Sequence, residues 1–137
     1  MTRMKPTTVL LAAAALAFIA SWFAPVTVQD HGYAGWAAFW TVLQLLWSPP
    51  QLGAWSDRLV FAVWIATALT NILFVAVFIA LIAARRALFR GLKWLVLAAA
   101  AVDLYWFFGI DRLKIGYYLW ISSFFLLFAA MARRSVK

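Results

Sequence analysis

The stretch that decides the fold runs from Leu59 to Ala84 and reads LVFAVWIATALTNILFVAVFIALIAA. Its 26 residues contain no charged side chain. As a helix rising 1.5 Å per residue it is about 39 Å long, whereas the hydrocarbon core of a bilayer is about 30 Å thick. Backbone groups in lipid must find hydrogen-bond partners within their own segment. The stretch therefore predicts a transmembrane helix that is tilted or extends past the bilayer.

Three further apolar runs predict additional spans, which gives four in all, at about residues 7–28, 59–84, 92–110 and 114–132. The third run contains two charged residues, Lys93 at its start and Asp103 further along. The first run follows Arg3 and Lys5 and so resembles a secretory signal peptide. Its apolar part is longer than a signal core of about 7–15 residues, and the small-x-small cleavage pattern fails at Ala20 and Ala24, because Phe18 and Trp22 stand two residues before them. We therefore expect the first run to remain in the protein as a span.

The composition of the whole chain agrees with a membrane protein. Of its 137 residues, 68% are hydrophobic and 12% are charged, and the mean hydropathy is +0.95. A soluble domain has about 25% charged residues. The chain also has no cysteine, which excludes a disulfide scaffold and thiolate metal sites. We expect one all-α membrane domain over residues 1–137, with the four spans in an antiparallel bundle.

The twelve basic residues predict the orientation of the spans. With four spans, nine of these residues share the side of both termini: Arg3, Lys5, Arg85, Arg86, Arg90, Lys93, Arg133, Arg134 and Lys137. The other side has three, Arg58, Arg112 and Lys114. Because basic loops stay in the cytoplasm, we expect both termini to be cytoplasmic. The net charge of +8 is explained by this orientation, so no nucleic-acid partner is expected.

The segment at about residues 33–48 predicts a helix that lies in the membrane interface on the external side. One helical stripe is strongly apolar and consists of Trp36, Phe39, Trp40, Leu43, Leu46 and Trp47. The opposite stripe is milder and consists of Ala34, Ala37, Thr41, Gln44 and Ser48. This periodicity is typical of an interfacial helix. A re-entrant or fifth span is the alternative, but five spans would spoil the charge asymmetry.

Whereas the basic residues Lys93 and Lys114 stand at the ends of their spans, Asp103 is the one acidic residue inside a predicted span. A charge there costs several kcal/mol and usually faces the bundle interior. Counting outward from the turn near Leu88 places Asn71 at a similar depth. A candidate polar cluster therefore comprises Asp103, Asn71, Thr67, Thr70, Ser122 and Ser123. Its role is either a clamp that fixes helix packing or a proton or cation relay.

Aromatic residues concentrate on the predicted external side. They form either a thickened interfacial belt or a groove for a lipid tail, a carrier lipid or a partner helix. The candidate groove consists of Trp36, Trp40, Trp47, Trp106, Tyr105, Tyr117 and Trp120.

Residue patterns for enzyme chemistry are missing from the sequence. The single histidine, His31, stands beside Asp30 and is better explained as a solvated pair than as a metal site. Two axial histidines for a haem, a metal-ligand cluster and a glycine-rich phosphate loop are all absent from the sequence. We therefore expect no cofactor, no metal and no enzymatic activity.

Short aromatic motifs near both ends resemble small uncharacterised bacterial four-span inner-membrane proteins. They are SWFAP at 21–25 with GYAGW at 32–36, and KIGYYLW at 114–120 with Ser122. The resemblance covers about a quarter of the chain. It implies the four-span layout and the bacterial cytoplasmic membrane, and it implies no activity.

These observations favour a non-enzymatic accessory or assembly subunit of a membrane complex, or a protein that associates with itself. Its expected partners are membrane lipid and other membrane subunits. One alternative is a lipid-binding or lipid-transport protein that uses the aromatic groove. A second is a membrane-embedded immunity protein against a toxin.

Overall fold

The fold is described from a computed structural model that covers residues 5–25, 34–48, 55–83, 89–109 and 113–135. All regular structure in these ranges is helical, as predicted. The helices are α1 (Pro6–Phe23), α2 (Gly35–Trp47), α3 (Trp55–Ile82), α4 (Phe89–Asp103), α5 (Tyr105–Gly109) and α6 (Ile115–Ser135). An isolated antiparallel bridge joins Pro25 to Ala34, between α1 and α2.

Four segments of the described chain are long and apolar enough to cross a membrane. They are Pro6–Phe23, Ser56–Ile82, Gly91–Phe108 and Ile115–Arg133. The chain is thus a multi-pass, all-α membrane protein, and the prediction of four spans is confirmed at this level. The remaining helix, α2, has 13 residues and is about 20 Å long. It is therefore too short to cross the hydrocarbon core.

Two helices differ from the predicted boundaries. The first was expected to reach residue 28 but ends at Phe23, because Ala24 is extended with φ −84° and ψ 149°. Pro25 accounts for this, since proline disfavours helical backbone in the residue before it. The third predicted span is interrupted by a turn at Leu104, which separates α4 from α5.

Helix α6 is the most enclosed of the four spanning segments. Half of its spanning segment is buried, compared with 22–28% for the other three. It packs against α1 on one side and α4 on the other, and α4 also packs against α3. Small residues recur at a spacing of four in the first two spans (Ala13, Ala17 and Ser21 in α1, Ala62, Ala66 and Thr70 in α3), a pattern that favours close contact between helices. However, α1 packs mainly along α6.

The apolar core is built around phenylalanine rings from three helices. Phe18 of α1 stacks on Phe74 of α3 with ring centroids 4.1 Å apart. Phe74 in turn meets Phe124 of α6 edge-on at 5.2 Å. Aromatic pairs of this kind contribute about 0.5–1.5 kcal/mol beyond their area burial. They link α1 to α3 through side chains, although those two helices have few backbone contacts.

A close approach fixes the start of α6 against the end of α1. The backbone N–H of Gly116 donates to the carbonyl oxygen of Pro25 at 3.0 Å. N–H groups in the first turn of a helix have no partner within the helix, so this bond satisfies one of them. A Cβ on residue 116 would lie 2.7 Å from the carbonyl oxygens of both Ala24 and Pro25. Only glycine fits this position without moving the α1 backbone.

Candidate functional site

The candidate site is a polar cluster that surrounds Asp103 at the end of α4. Asp103 is fully buried, and its Oδ1 lies 3.2 Å from the hydroxyl oxygen of Thr70 on α3. The same hydroxyl lies 2.7 Å from the carbonyl oxygen of Thr67. The second carboxyl oxygen of Asp103, Oδ2, is buried and has no hydrogen-bond partner in the described ranges.

The break in the third span occurs directly after Asp103 and changes its backbone bonding. In a continuous helix the carbonyl of Asp103 would accept a bond from the N–H of Phe107. Here that N–H donates to Leu104 at 3.0 Å. The hydroxyl of Tyr117 donates to the Asp103 carbonyl oxygen instead, at 2.9 Å. Tyr117 therefore joins α6 to the point at which α4 ends.

Two tryptophan side chains connect the cluster to the other helices. The indole N–H of Trp106 donates to the hydroxyl oxygen of Thr67 at 2.8 Å. The indole N–H of Trp120 donates to the amide oxygen of Asn71 at 3.0 Å. Asn71 also donates to the backbone oxygen of Thr67 at 3.1 Å. The cluster thus links α3 to both α5 and α6 through side chains.

The partner of Asp103 is Thr70, whereas depth counting had placed Asn71 opposite it. Thr70 and Asn71 are neighbours on α3, and neighbouring residues on a helix point about 100° apart. Asn71 turns towards α6 and bonds Trp120, so it contacts the same cluster by a different route. Thr67 and Thr70, which were predicted as neighbours of Asn71, both take part directly.

The two predicted serines of α6 occupy different surroundings. Ser123 is fully buried, and its hydroxyl donates to the carbonyl oxygen of Trp120 at 2.6 Å. It therefore lies beside the cluster and bonds within its own helix. Ser122 is exposed on the outside of the described structure, so the structure does not bring it to Asp103.

The predicted aromatic groove is divided between two places. Trp106, Tyr117 and Trp120 point inward and donate hydrogen bonds to the polar cluster. Their part in this cluster was not foreseen, although buried Tyr and Trp usually find an acceptor. Tyr105 is 45% exposed on α5. The remaining three members, Trp36, Trp40 and Trp47, lie exposed on α2, so no single groove contains the whole set.

The exposed tryptophans of α2 form one line, which we name the Trp stripe and define as Trp36, Trp40 and Trp47. At 100° per residue they fall within about 40° of one another around the helix. Phe39 lies about 80° around the helix from the centre of this stripe, and it packs against Trp22 of α1 with ring centroids 5.3 Å apart. In all of α2 there is no fully buried residue and no charged one.

The cluster offers several hydrogen-bonding groups, the carboxyl group of Asp103 and the hydroxyl of Tyr117. No group of three or more His, Cys, Asp or Glu residues that could hold a metal occurs in the described ranges. His31 and Asp30 lie outside these ranges. The chain matches no family model, no curated protein and no solved structure.

Proposed function

We propose that this chain is a non-enzymatic accessory or assembly subunit of a larger complex in the bacterial cytoplasmic membrane. In this proposal its four spans form an antiparallel bundle, and both termini are cytoplasmic. Helix α2 lies on the external side and presents the Trp stripe to a partner membrane protein. The polar cluster is the clamp that holds the bundle in the shape that presents α2.

The order of contacts along the helices supports the antiparallel bundle. Thr67 bonds Trp106, and Thr70, which is later on α3, bonds Asp103, which is earlier in the chain than Trp106. The residue order on α3 is therefore the reverse of the order on α4 and α5, as in antiparallel helices. The start of α6 meets the end of α1 through Gly116 and Pro25. Nine of the twelve basic residues then lie on one side of the membrane, in agreement with the positive-inside rule.

The observation that carries the functional proposal is the Trp stripe. Its side chains are 54%, 57% and 88% exposed, respectively, although tryptophan is the residue most enriched among binding hot spots. Helices that lie in a membrane interface normally combine an apolar face with a strongly charged one. Because α2 has no charged residue, a protein surface suits the Trp stripe better than the lipid headgroup region does.

Purification from native membranes tests this proposal. A tagged chain should retain a membrane protein in fixed stoichiometry, and Trp40→Ala should release that protein. Removal of a hot-spot side chain costs about 2 kcal/mol or more, which corresponds to roughly 30-fold weaker binding. Trp94→Ala is the matched control, because Trp94 is 60% exposed on α4, close to the 57% of Trp40. Retention of the partner by Trp40→Ala would contradict the proposal.

Lipid binding is the second candidate, and it rests on the same stripe. Tryptophan also anchors proteins at the membrane interface, because its ring is amphipathic. The mass of the purified protein under native conditions separates the two functions. A bound lipid that is lost in Trp40→Ala and kept in Trp94→Ala, with no protein partner in either, would favour the lipid-binding function.

A further inference from the structure

The hydrogen atoms around Asp103 can be assigned by counting donors. The hydroxyl of Thr70 has one hydrogen but two acceptors, the backbone oxygen of Thr67 at 2.7 Å and Oδ1 of Asp103 at 3.2 Å. The shorter distance places the hydrogen on the bond to Thr67. Oδ1 of Asp103 then faces a lone pair of the Thr70 oxygen and receives no hydrogen from it.

An ionised Asp103 would be poorly stabilised in this arrangement. A carboxylate can only accept hydrogen bonds, and its Oδ2 has no partner in the described structure. At best it would share the single hydrogen of Thr70 with Thr67. An uncompensated charge within a membrane span is costly, and two or three donors normally surround a buried carboxylate.

No neighbouring cation compensates such a charge within the described residues. The side chains that reach Asp103 or its immediate partners from α3 are Thr67, Thr70 and Asn71, which are neutral. The titratable group that faces it from α6 is the hydroxyl of Tyr117, which bonds the backbone oxygen. Helix α1 has no charged residue between Pro6 and Phe23. The basic residue closest in sequence to Tyr117 is Lys114, which lies directly before the start of α6.

We propose that Asp103 is a proton-binding site in which the carboxyl group is retained as the neutral acid at pH 7. Oδ1 has the hydrogen and donates it to the hydroxyl oxygen of Thr70, which donates to the carbonyl oxygen of Thr67. Oδ2 is the carbonyl oxygen of the acid, which explains why it has no donor. Each hydrogen in this series of hydrogen bonds has one acceptor, and the bound proton joins α4 to α3.

Infrared spectroscopy of the full chain in lipid bilayers tests the protonation of Asp103. A neutral carboxylic acid has a carbonyl stretching band that a carboxylate lacks. The chain has four acidic side chains, so the spectral region has few contributors. We expect one such band at pH 7, at the high frequency of a carbonyl that accepts no hydrogen bond. It should be lost in Asp103→Asn and kept in Asp57→Asn, the control on the exposed start of α3.

The hydroxyl of Thr70 provides a second, independent readout. Thr70→Ser keeps the hydroxyl that accepts the proton bond, so the band should be unchanged. Thr70→Val removes that acceptor, so the band should shift or disappear. A band that survives Asp103→Asn would overturn the proposal. If Asp103→Asn does not fold, titration of the unmodified chain decides: a band that appears only below about pH 5, as for solvated aspartate, would also overturn it.

Discussion

The contact between α1 and α6 depends on Gly116, and its substitution by alanine is the sharpest test of the packing. The added Cβ would lie 2.7 Å from the carbonyl oxygens of Ala24 and Pro25, whereas ordinary contacts lie at 3.4–4 Å. Both neighbours are backbone atoms, so neither can rotate away. Overpacking of this kind costs about 1–3 kcal/mol. At about 3–4 °C per kcal/mol, a cost of about 2 kcal/mol lowers the melting temperature by roughly 6–8 °C.

Gly91→Ala is the matched control, because a Cβ at Gly91 in α4 meets nothing within 4 Å. Alanine favours helix over glycine by about 1 kcal/mol, so this variant should melt at the same temperature or slightly higher. Alanine gains helix propensity over glycine at both positions. The difference in melting temperature between the two variants therefore measures the clash at position 116. Thermal unfolding in detergent, followed by circular dichroism, measures both. If Gly116→Ala were as stable as Gly91→Ala, the close approach of α1 and α6 would be refuted.

The remaining predictions concern the polar cluster and α2. Asp103→Asn should leave the melting temperature nearly unchanged, because the amide can donate to Thr70 as the neutral acid does. If this variant were stable but inactive in cells, Asp103 would be a proton relay instead. Tyr117→Phe should lower stability by about 0.6 kcal/mol, the average for hydrogen bonds within membrane bundles, and by no more than about 1.7 kcal/mol, the largest value found for them. Tyr118→Phe, on the exposed side of α6, should leave stability unchanged. Equal stability of the two variants would contradict the bond to the Asp103 carbonyl. Because the chain lacks cysteine, single cysteines can be placed along α2. A water-soluble thiol reagent should label Thr41→Cys and Gln44→Cys faster than Trp40→Cys and Leu43→Cys. Equal protection of all four positions would indicate a re-entrant segment.

Hydropathy predicted the helices well because the membrane imposes a simple constraint on length and charge. The run from Leu59 to Ala84 has one structure available in lipid, and α3 accordingly covers nearly all of it. The error at the end of α1 was avoidable, since Pro25 is visible in the sequence and proline restricts the residue before it. The turn at Leu104 has no such signal, because no proline or glycine stands there.

Four members of the polar cluster, Asp103, Thr67, Thr70 and Asn71, were predictable from the sequence. Their pairing was not, nor was the part of the aromatic donors Trp106, Tyr117 and Trp120. Depth along a span follows from counting residues, and this count brought Asp103 to the level of Asn71. Which neighbour bonds it depends on the rotation of α3 about its own axis, and a change of one residue rotates the side chain by about 100°. The association of α1 with α6 is similarly hidden, because it joins the two ends of the chain through a glycine that hydropathy does not distinguish.

The four-span layout underlies every part of the proposed function, and topology mapping tests it most directly. Reporters that are active only in the cytoplasm would be fused at positions 52, 88 and 112 and at the C-terminus, with the location of the N-terminus determined separately. The account predicts activity at position 88 and at the C-terminus, inactivity at positions 52 and 112, and a cytoplasmic N-terminus. Termini on opposite sides of the membrane would contradict it, because α2 would then have to cross the membrane or one of the four spans would not.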